Sequence, residues 1–446
     1  MQAPAVSRIH RVAIVSAVNP YPVASGKDVV LSGIVDYWAD QLGPDAVHYV
    51  LIRPEHEPAP ALFPVHLTRL PAVSTRHKLT SIVSRAVPGR SSLQEAMLFS
   101  APLGRRLARV IDSLDVDLVL FDTVRLGQYM GFLTPRPGRQ HVVYLDDLFS
   151  LRYTAMLRTL AEHDDVEVDA LGQFRAFVPG ALHKLVGARS AQAALLRWER
   201  RAIARAERTS VSRFDQVLLI NALEAAQLTE ETGAANVRCL PPLLPLQATY
   251  RPPYEGRPEF VFLGQLSIPH NDDGINWFLN CAMEPLLELL PEARLRIIGR
   301  DPRPGLVANA GRFGEHVSLE GYVEDLDRAL SPAAAMLSPL RFGSGVKIKL
   351  VEALARALPS VTTTIGAHGV VSDARSGVVV EDDITAYPRI LAALTDPTRN
   401  RVVSAQARRH FDEVFAHDAV LRAYDEIFHA PAGSPRSARR PMHSVA

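Results

Sequence analysis

The chain predicts an α/β protein made of two successive domains, each built on a parallel sheet. Two observations carry this expectation. Short apolar runs of strand length alternate with helical periodicity through both halves of the sequence, which is the βαβ pattern of parallel sheets. A proline-rich stretch, Leu240-Pro241-Pro242-Leu243-Leu244-Pro245 followed by Tyr250 to Pro258, separates the halves and suits a semi-rigid linker. The length of 446 residues agrees with two domains, at the usual ~100–200 residues each.

The first strand is expected at Val12–Val18. That run is too brief to cross a membrane, is bounded by Pro20, and lacks the small-residue cleavage site of a leader. Helical periodicity over Val29–Leu42, then the runs Val47–Ile52, Leu118–Phe121 and Val142–Leu145, fill out a first domain over residues 1–240. From Ser150 to Arg208 the pattern is almost continuously helical, with breaks near Asp164-Asp165 and Pro179-Gly180, so an insertion of several helices is expected over 150–208. Arg152, Arg158, Arg175, His183, Lys184 and Arg189 interleave there with Phe174, Phe177 and Trp198. Peripheral contact with an anionic membrane is one reading of that mixture, and a charged cap on a domain is the other.

After a linker at 241–258 the alternation resumes. Phe260–Leu263, Ile275–Leu290, Leu295–Ile298, Val317–Leu319, Ala334–Leu337 and Ser360–Thr363 place a second domain at 259–415. A C-terminal helix is expected over 416–430, and the Ser-, Pro- and Arg-rich tail 431–446 reads as disordered. Lys and Arg number 49 against 48 Asp and Glu, a formal charge of +1, so no general field favours nucleic acid and any anion site is local. The two cysteines, Cys239 and Cys281, have no CxxC partner. They support neither a disulfide framework nor a zinc cage, and fit a reducing cytoplasm.

The most informative segment runs from Arg341 to Gly369. Ala334 to Leu340 is short, apolar and closed by Pro339, which predicts a buried parallel strand. Ile348, Leu350, Val351, Leu354 and Ala355 recur at helical spacing, predicting a helix over 347–357 that Pro359 stops. Between them, Gly343-Ser344-Gly345 offers backbone N–H groups at the positive end of the helix dipole, a seat for a diphosphate. Lys347 and Lys349 add charge, and Glu352, about a turn and a half further on, is placed to accept hydrogen bonds from two ribose hydroxyls. The Walker A and dinucleotide fingerprints are both absent; Ala24 to Asp28 fails the former because Tyr21 and Asp28 stand where a glycine and a hydroxyl belong. Taken alone, Gly343 to Gly345 also reads as an ordinary strand-to-helix turn.

Other segments complete an ordered series. Phe260-Val261-Phe262-Leu263-Gly264, Ile297-Ile298-Gly299-Arg300-Asp301-Pro302, Gly321-Tyr322-Val323-Glu324-Asp325-Leu326, Glu352-Ala353-Leu354-Ala355 with Pro359, and Gly366-Ala367-His368-Gly369 follow one another in the second half. Pro22 to Asp28, and Glu199 to Ile220 with Arg213-Phe214-Asp215-Gln216-Val217-Leu218, belong to the first. The series resembles the glycosyltransferases of family 4, also called group 1, and spans most of the chain. The resemblance implies a GT-B fold, in which two Rossmann-like domains face one another across a cleft. It also implies a nucleotide-sugar donor on the second domain, a glycan, glycolipid or other lipid-linked acceptor on the first, retention of anomeric configuration, and no metal or cofactor.

Carried onto this sequence, the resemblance assigns donor contacts to Gly264, Gln265, Gly299, Arg300, Val323, Gly343, Ser344, Gly345 and Glu352. It makes Lys347 and Lys349 the cations of the leaving diphosphate. Asp146 and Asp147, at the carboxyl end of the Val142–Leu145 strand, are candidate catalytic or acceptor contacts, because ligands gather at that edge of open α/β sheets. Gly26, Lys27 and Arg152 are acceptor candidates, with Asp122 and Arg125 behind them; a solvated charge or a helix cap is the plain reading of each. His368 lies in a loop able to face the sugar, though a lone loop histidine is ordinarily solvated. Three positions depart from the family pattern: Ser344 stands where a glutamate is frequent, Gln265 where an arginine is usual, and Ala357-Leu358 where a glycine precedes the proline. Asp115-Val116-Asp117 and Asp325-Leu326-Asp327 have the spacing of a metal-binding Asp-x-Asp, but the first opens the Leu118 strand and the second begins a helix. Two alternatives stay open: a nucleotide-sugar 2-epimerase of the same fold, and a catalytically idle protein that binds nucleotide or partners.

Overall fold

A computed structural model describes residues 9–23, 26–54, 62–162, 189–244, 251–343, 345–371 and 375–429. Ser344, the expected breaks at Asp164-Asp165 and Pro179-Gly180, the residues Arg175, His183, Lys184, Phe174 and Phe177, and the tail 431–446 lie outside the described residues.

The first sheet comprises β1 (Val12–Ser16), β2 (Val47–Arg53), β3 (His66–Pro71), β4 (Leu118–Asp122), β5 (Gln140–Asp146), β6 (Gln216–Leu219) and β7 (Val237–Cys239), in the order β3-β2-β1-β4-β5-β6-β7. The second comprises β8 (Glu259–Leu263), β9 (Arg294–Ile298), β10 (Val317–Gly321), β11 (Ala335–Ser338), β12 (Ser360–Thr362) and β13 (Val378–Val380), in the order β10-β9-β8-β11-β12-β13. All pairings are parallel; Val12, for example, pairs with Val47 on one side and Leu118 on the other. β1 and β4 are buried along their whole length, as strands covered by helices on both faces must be. In each sheet the strand order reverses at one place, between β1 and β4 and between β8 and β11. Such switch points open a crevice at the carboxyl ends of the strands, and the candidate residues lie there.

The expected strands all form, within one or two residues of their predicted ends. β3 escaped the sequence reading because it is a half-exposed edge strand carrying His66, Thr68 and Arg69; β7 and β13 are only three residues long. Ile275–Leu290 divides into two helices, Pro269–Cys281 and Met283–Leu289. The helix expected over 347–357 is shorter, Ile348–Ala355, because Lys347 is its N-cap and Ala357 turns left-handed at φ 54°. The segment 150–208 shows as two helices, Phe149–Glu162 and Arg189–Arg213, with the intervening residues outside the description.

The C-terminal helix, His417–Phe428, returns to the first sheet's side of the molecule. Tyr424 and Phe428 pack on Tyr37 and Trp38 at ring separations of 4.8 and 4.9 Å, and the Tyr37 hydroxyl donates to Asp425 at 2.9 Å. Just before it, the helix Pro397–Val414 packs Ala407 and Phe411 against Leu350 and Leu354. One continuous segment therefore braces both halves. Among the described residues no helix is long and apolar enough to cross a membrane.

Candidate functional site

The carboxyl ends of β1, β4 and β5 carry a buried polar network. Ser16 Oγ donates to Asp122 Oδ2 at 2.7 Å, and Lys27 Nζ lies 2.6 Å from Asp122 Oδ1 and 3.2 Å from Asp146 Oδ2. The Tyr144 hydroxyl donates to Asp146 Oδ1 at 2.9 Å. Burial opposes the charge on Lys27, but Asp122 and Asp146 more than offset it and raise its pKa. Burial likewise opposes ionisation of Asp146, and Lys27 outweighs it. Lys27, Asp122 and Asp146 thus form one ion-paired cluster, the condition under which buried charges are tolerated. The backbone beside it is strained: Thr123 has φ 70° and Asp146 φ 74°. A β-branched residue in that region is uncommon and marks positions the surrounding fold over-determines.

Asp147, only 2% exposed, is held by Arg152, whose Nη2 donates to both carboxylate oxygens at 2.8 and 2.6 Å. Arg152 lies over the Phe149 ring at 4.5 Å, and Arg125 over the same ring at 4.9 Å. Arg125 also donates to Thr123 and Gln94, so its guanidinium serves to hold the local structure. Gly26 begins the helix Gly26–Leu42, where a Cβ would stand 3.7 Å from Ile348 of the second domain.

Across the cleft, β11 leads through the glycine loop into the helix Ile348–Ala355. Gly343 has φ 130° and Gly345 φ 75°, backbone that side chains other than glycine adopt only with strain. Lys347 Nζ donates to the Gly345 carbonyl at 3.0 Å, and Lys349 Nζ donates to Asn271 Oδ1 at 2.7 Å while lying 4.6 Å over the Phe262 ring. A Cβ on Gly343 would stand 3.6 Å from both Lys347 Nζ and the His270 ring, so three basic groups border one loop. Burial lowers the Lys347 pKa to about 8, and burial together with Lys347 lowers that of Lys349 to about 7. Burial and the two lysines hold His270 down to about 3. Burial is the largest cause of each depression, and the neighbouring cations add to it, while Asp147 and Glu224 act in the opposite sense on Lys347. Groups so perturbed are common at binding sites.

The remaining donor-side candidates share this sheet edge. Gly299 is required by contact, since a Cβ there would lie 1.8 Å from the Gly264 carbonyl oxygen. Asn271 Nδ2 donates to the Gln265 carbonyl at 2.9 Å, tying the Gly264 turn to Lys349. Gln265 itself is exposed and donates to Ser267 Oγ. Arg300 and Val323 lie two residues past β9 and β10, Arg300 exposed with its guanidinium 4.0 Å over Tyr322 and Val323 half-buried. Glu352 sits five residues beyond Lys347, about 7–8 Å along a helix. Its carboxylate is ion-paired with Arg356, which also donates to Asp327 Oδ1 at 2.6 Å, so a ribose would share Glu352 with a partner that sequence reasoning did not foresee.

The two edges meet. A Cβ on Gly345 would stand 3.9 Å from Asp147 Oδ2, which puts the glycine loop directly opposite the Asp147–Arg152 pair. Asn221 Nδ2 donates to His368 Nδ1 at 3.0 Å, joining the residue after β6 to the loop after β12. Glu224, beside them, accepts from Asn221 at 3.3 Å and from the Leu148 amide at 2.5 Å. His368 is therefore a half-buried cleft residue, and burial followed by Lys347 lowers its pKa. His270, Asn271, Asn221 and Glu224 were not anticipated. The local signal for Asn221 is its place between an apolar strand and a helical pattern, where it caps the helix Ala222–Thr232 through Leu223 N at 2.9 Å.

Both Asp-x-Asp pairs have structural duties. Asp117 accepts from the His10 and Arg11 amides at 2.8 and 3.0 Å, and Asp115 pairs with Arg136. Asp325 caps the helix Leu326–Leu330 through Arg328 N, and Asp327 pairs with Arg356.

Residues 257–396 match the family model described as Glycosyl transferases group 1. The chain is 30% identical over 182 residues to a phosphatidyl-myo-inositol mannosyltransferase of Mycobacterium leprae, a match covering 39% of this chain and 47% of that protein. The chain thus spans about half the length of the curated relatives it matches. Among solved structures, sucrose-phosphate synthase from Thermosynechococcus elongatus superposes with a TM-score of 0.62 at 15% identity, over 95% of this chain and 100% of that one. HepE from Anabaena in complex with UDP superposes with a TM-score of 0.59 at 12% identity, over 94% of this chain and 100% of that one. The fold is accordingly GT-B: two parallel-sheet α/β domains with their carboxyl edges facing.

Proposed function

We propose that this chain is a glycosyltransferase of the family 4 type, moving a sugar from a nucleotide-sugar donor to a glycan, glycolipid or other lipid-linked acceptor with retention of configuration and without a metal. The observation that carries this reading is the cluster of Lys347, Lys349 and His270 around the Gly343–Gly345 loop at the start of the helix Ile348–Ala355. Transfer breaks the bond between the anomeric carbon and a diphosphate oxygen, and negative charge grows on that oxygen. Fixed donors at the helix start and the two ammonium groups stabilise that charge, and preorganised donors in a water-poor site are effective because they need little rearrangement. The acceptor hydroxyl forms the new bond, and its proton passes to the departing phosphate oxygen. Engagement of Asp146 by Lys27, and of Asp147 by Arg152, supports a path that needs no dedicated carboxylate base.

In this reading Asp147, Lys27, Gly26 and Arg152 border the acceptor side, and the donor lies over Gly264, Gly299, Gly343 and Gly345 with Glu352 toward the ribose. Cytoplasmic placement accompanies the proposal, since nucleotide sugars are cytoplasmic metabolites and the cysteines suit a reducing compartment. The test is calorimetric titration of UDP, GDP and ADP into the protein and into a Lys347→Ala, Glu352→Ala variant. UDP comes first because HepE was solved with it. One nucleotide binding, and weakening at least tenfold in the variant, is the expected result. No binding of any of the three by folded protein would overturn the reading, and conversion of a nucleotide sugar without acceptor would make it a 2-epimerase.

A further inference from the structure

A second concave site lies in the first domain, away from the cleft. It is a cavity of about 380 Å³ lined by Arg85, Arg90, Arg205 and Arg213, and none of the residues assigned above to donor or acceptor borders it. Arg205, Thr209 and Arg213 follow one another at four-residue spacing on the helix Arg189–Arg213, so one helical face presents two guanidinium groups and a hydroxyl to it. Arg85 and Arg90 come from the helical segment that ends at Ala86 and from the turn after it.

The charge of this cavity is only partly compensated. None of its four arginines makes an ion pair among the described residues. Its one acidic lining residue is Glu95, buried and already accepting the Ser92 amide at 3.0 Å as half of a capping box. Four positive groups against one carboxylate leave a balance of +3 in a chain whose total is +1. Arg85 shows the consequence most clearly. Its guanidinium lies 3.6 Å over the Phe99 ring and donates to Gln128 at 3.3 Å, yet its Nε is buried without a hydrogen-bond partner. A buried donor left unsatisfied is costly, more so when charged, and native structures keep few of them without a reason. A planar guanidinium fork matches phosphate oxygens two at a time, and the volume is that of a small-ligand site.

We infer that this cavity binds a phosphate group, as a phosphomonoester or phosphodiester, at a site separate from the nucleotide cleft. The phosphate has two potential carriers: a soluble phosphate compound, or the headgroup of an anionic lipid. Leu79, Val83 and Val87 stand 52, 68 and 72% exposed at four-residue spacing on the segment that delivers Arg85, so the lipid carrier is tested directly.

The experiment uses the full chain, with inorganic phosphate in one arm and phosphatidylglycerol or phosphatidylcholine vesicles in the other. Three variants are compared: Arg205→Gln with Arg213→Gln, which empties the cavity of two cations; Arg201→Gln with Arg208→Gln, which removes equal charge from the same helix outside it; and Lys347→Ala, which disables the cleft. Saturable phosphate binding at constant ionic strength, weakened tenfold or more only by the first variant, establishes a soluble ligand. Co-sedimentation with phosphatidylglycerol but not phosphatidylcholine vesicles, lost only in the first variant, establishes the headgroup. Binding lost equally in the first two variants would reduce the effect to net charge and overturn the site. Phosphate binding abolished by Lys347→Ala alone would assign it to the cleft, and no binding in either arm would also end the inference.

Discussion

Asn221 of the first domain and His368 of the second meet at 3.0 Å across the cleft, the amide donating to Nδ1 of the ring. Burial and Lys347 lower the His368 pKa, which favours the neutral ring that can accept from the amide. The Asn221 side chain also caps the helix Ala222–Thr232, so it has a local duty and a cross-cleft one. His368→Ala removes only the second. We expect it to leave unfolding free energy within about 0.5 kcal/mol of the parent while widening the radius of gyration in solution scattering. Asn221→Ala should add the loss of a cap, ~1 kcal/mol. Equal destabilisation by both variants, with no change in scattering, would refute the assignment of a domain-joining role.

Nucleotide binding should depend on pH through Lys347 and Lys349. Their pKa values are depressed, to about 8 and about 7, because burial disfavours both charged forms and Lys347 further disfavours that of Lys349. A bound diphosphate favours those forms and raises both pKa values in the complex, so binding takes up protons wherever the free lysines are partly neutral. Affinity is then lost as pH rises through 7 to 8. We expect a Kd at pH 9 at least tenfold weaker than at pH 7, and calorimetric enthalpies that change with the ionisation heat of the buffer. A Kd independent of pH over that interval would show that these ammonium groups do not contact the anion.

Both sheets, their parallel sense and the glycine loop were legible in the sequence because buried strands and the helix Ile348–Ala355 write their burial directly as apolar periodicity. What was not legible lies in contacts between residues far apart in the chain. His270 adjoins Lys347 only because the start of the helix Pro269–Cys281 lies against the glycine loop, and Asn221 reaches His368 only because the two sheets face one another. Glu352 was expected to meet ribose hydroxyls, and the structure also pairs it with Arg356, four positions on. The acidic pairs at Asp115 and Asp325 show the converse: a spacing that suggests metal chemistry serves an ion pair and a helix cap.

Three buried glutamates set a second pH dependence, of stability rather than binding. Burial raises the pKa of Glu199 to about 7, of Glu207 to about 8 and of Glu224 to about 7, although each accepts backbone amide hydrogen bonds. A carboxyl whose folded pKa exceeds its unfolded value stabilises the fold below the unfolded pKa, near 4.5, and that contribution is lost as pH rises through the folded one. Thermal stability should therefore decline between about pH 5 and 8. Glu207→Gln keeps an acceptor for the Ser150 amide without the charge, and should raise Tm more at pH 8 than at pH 5. A uniform shift of Tm at both pH values would contradict the burial argument.

Two glycines separate fold from function. At Gly299 a Cβ would stand 1.8 Å from the Gly264 carbonyl oxygen, a backbone atom that cannot move without displacing β8. Gly299→Ala should destabilise the second domain by ~3 kcal/mol or more, as overpacking against immovable neighbours does. At Gly345 the nearest atom to a Cβ is Asp147 Oδ2 at 3.9 Å, ordinary contact distance, and the cost is the left-handed φ of 75°, ~1–2 kcal/mol. Gly345→Ala should thus remain folded while changing the direction of the loop amides and crowding the space between Lys347 and Asp147. Nucleotide affinity should fall at least tenfold with Tm lowered by only a few degrees. If Gly345→Ala binds nucleotide as tightly as the parent, the loop amides are not donors to the diphosphate, and the lysines alone must hold it.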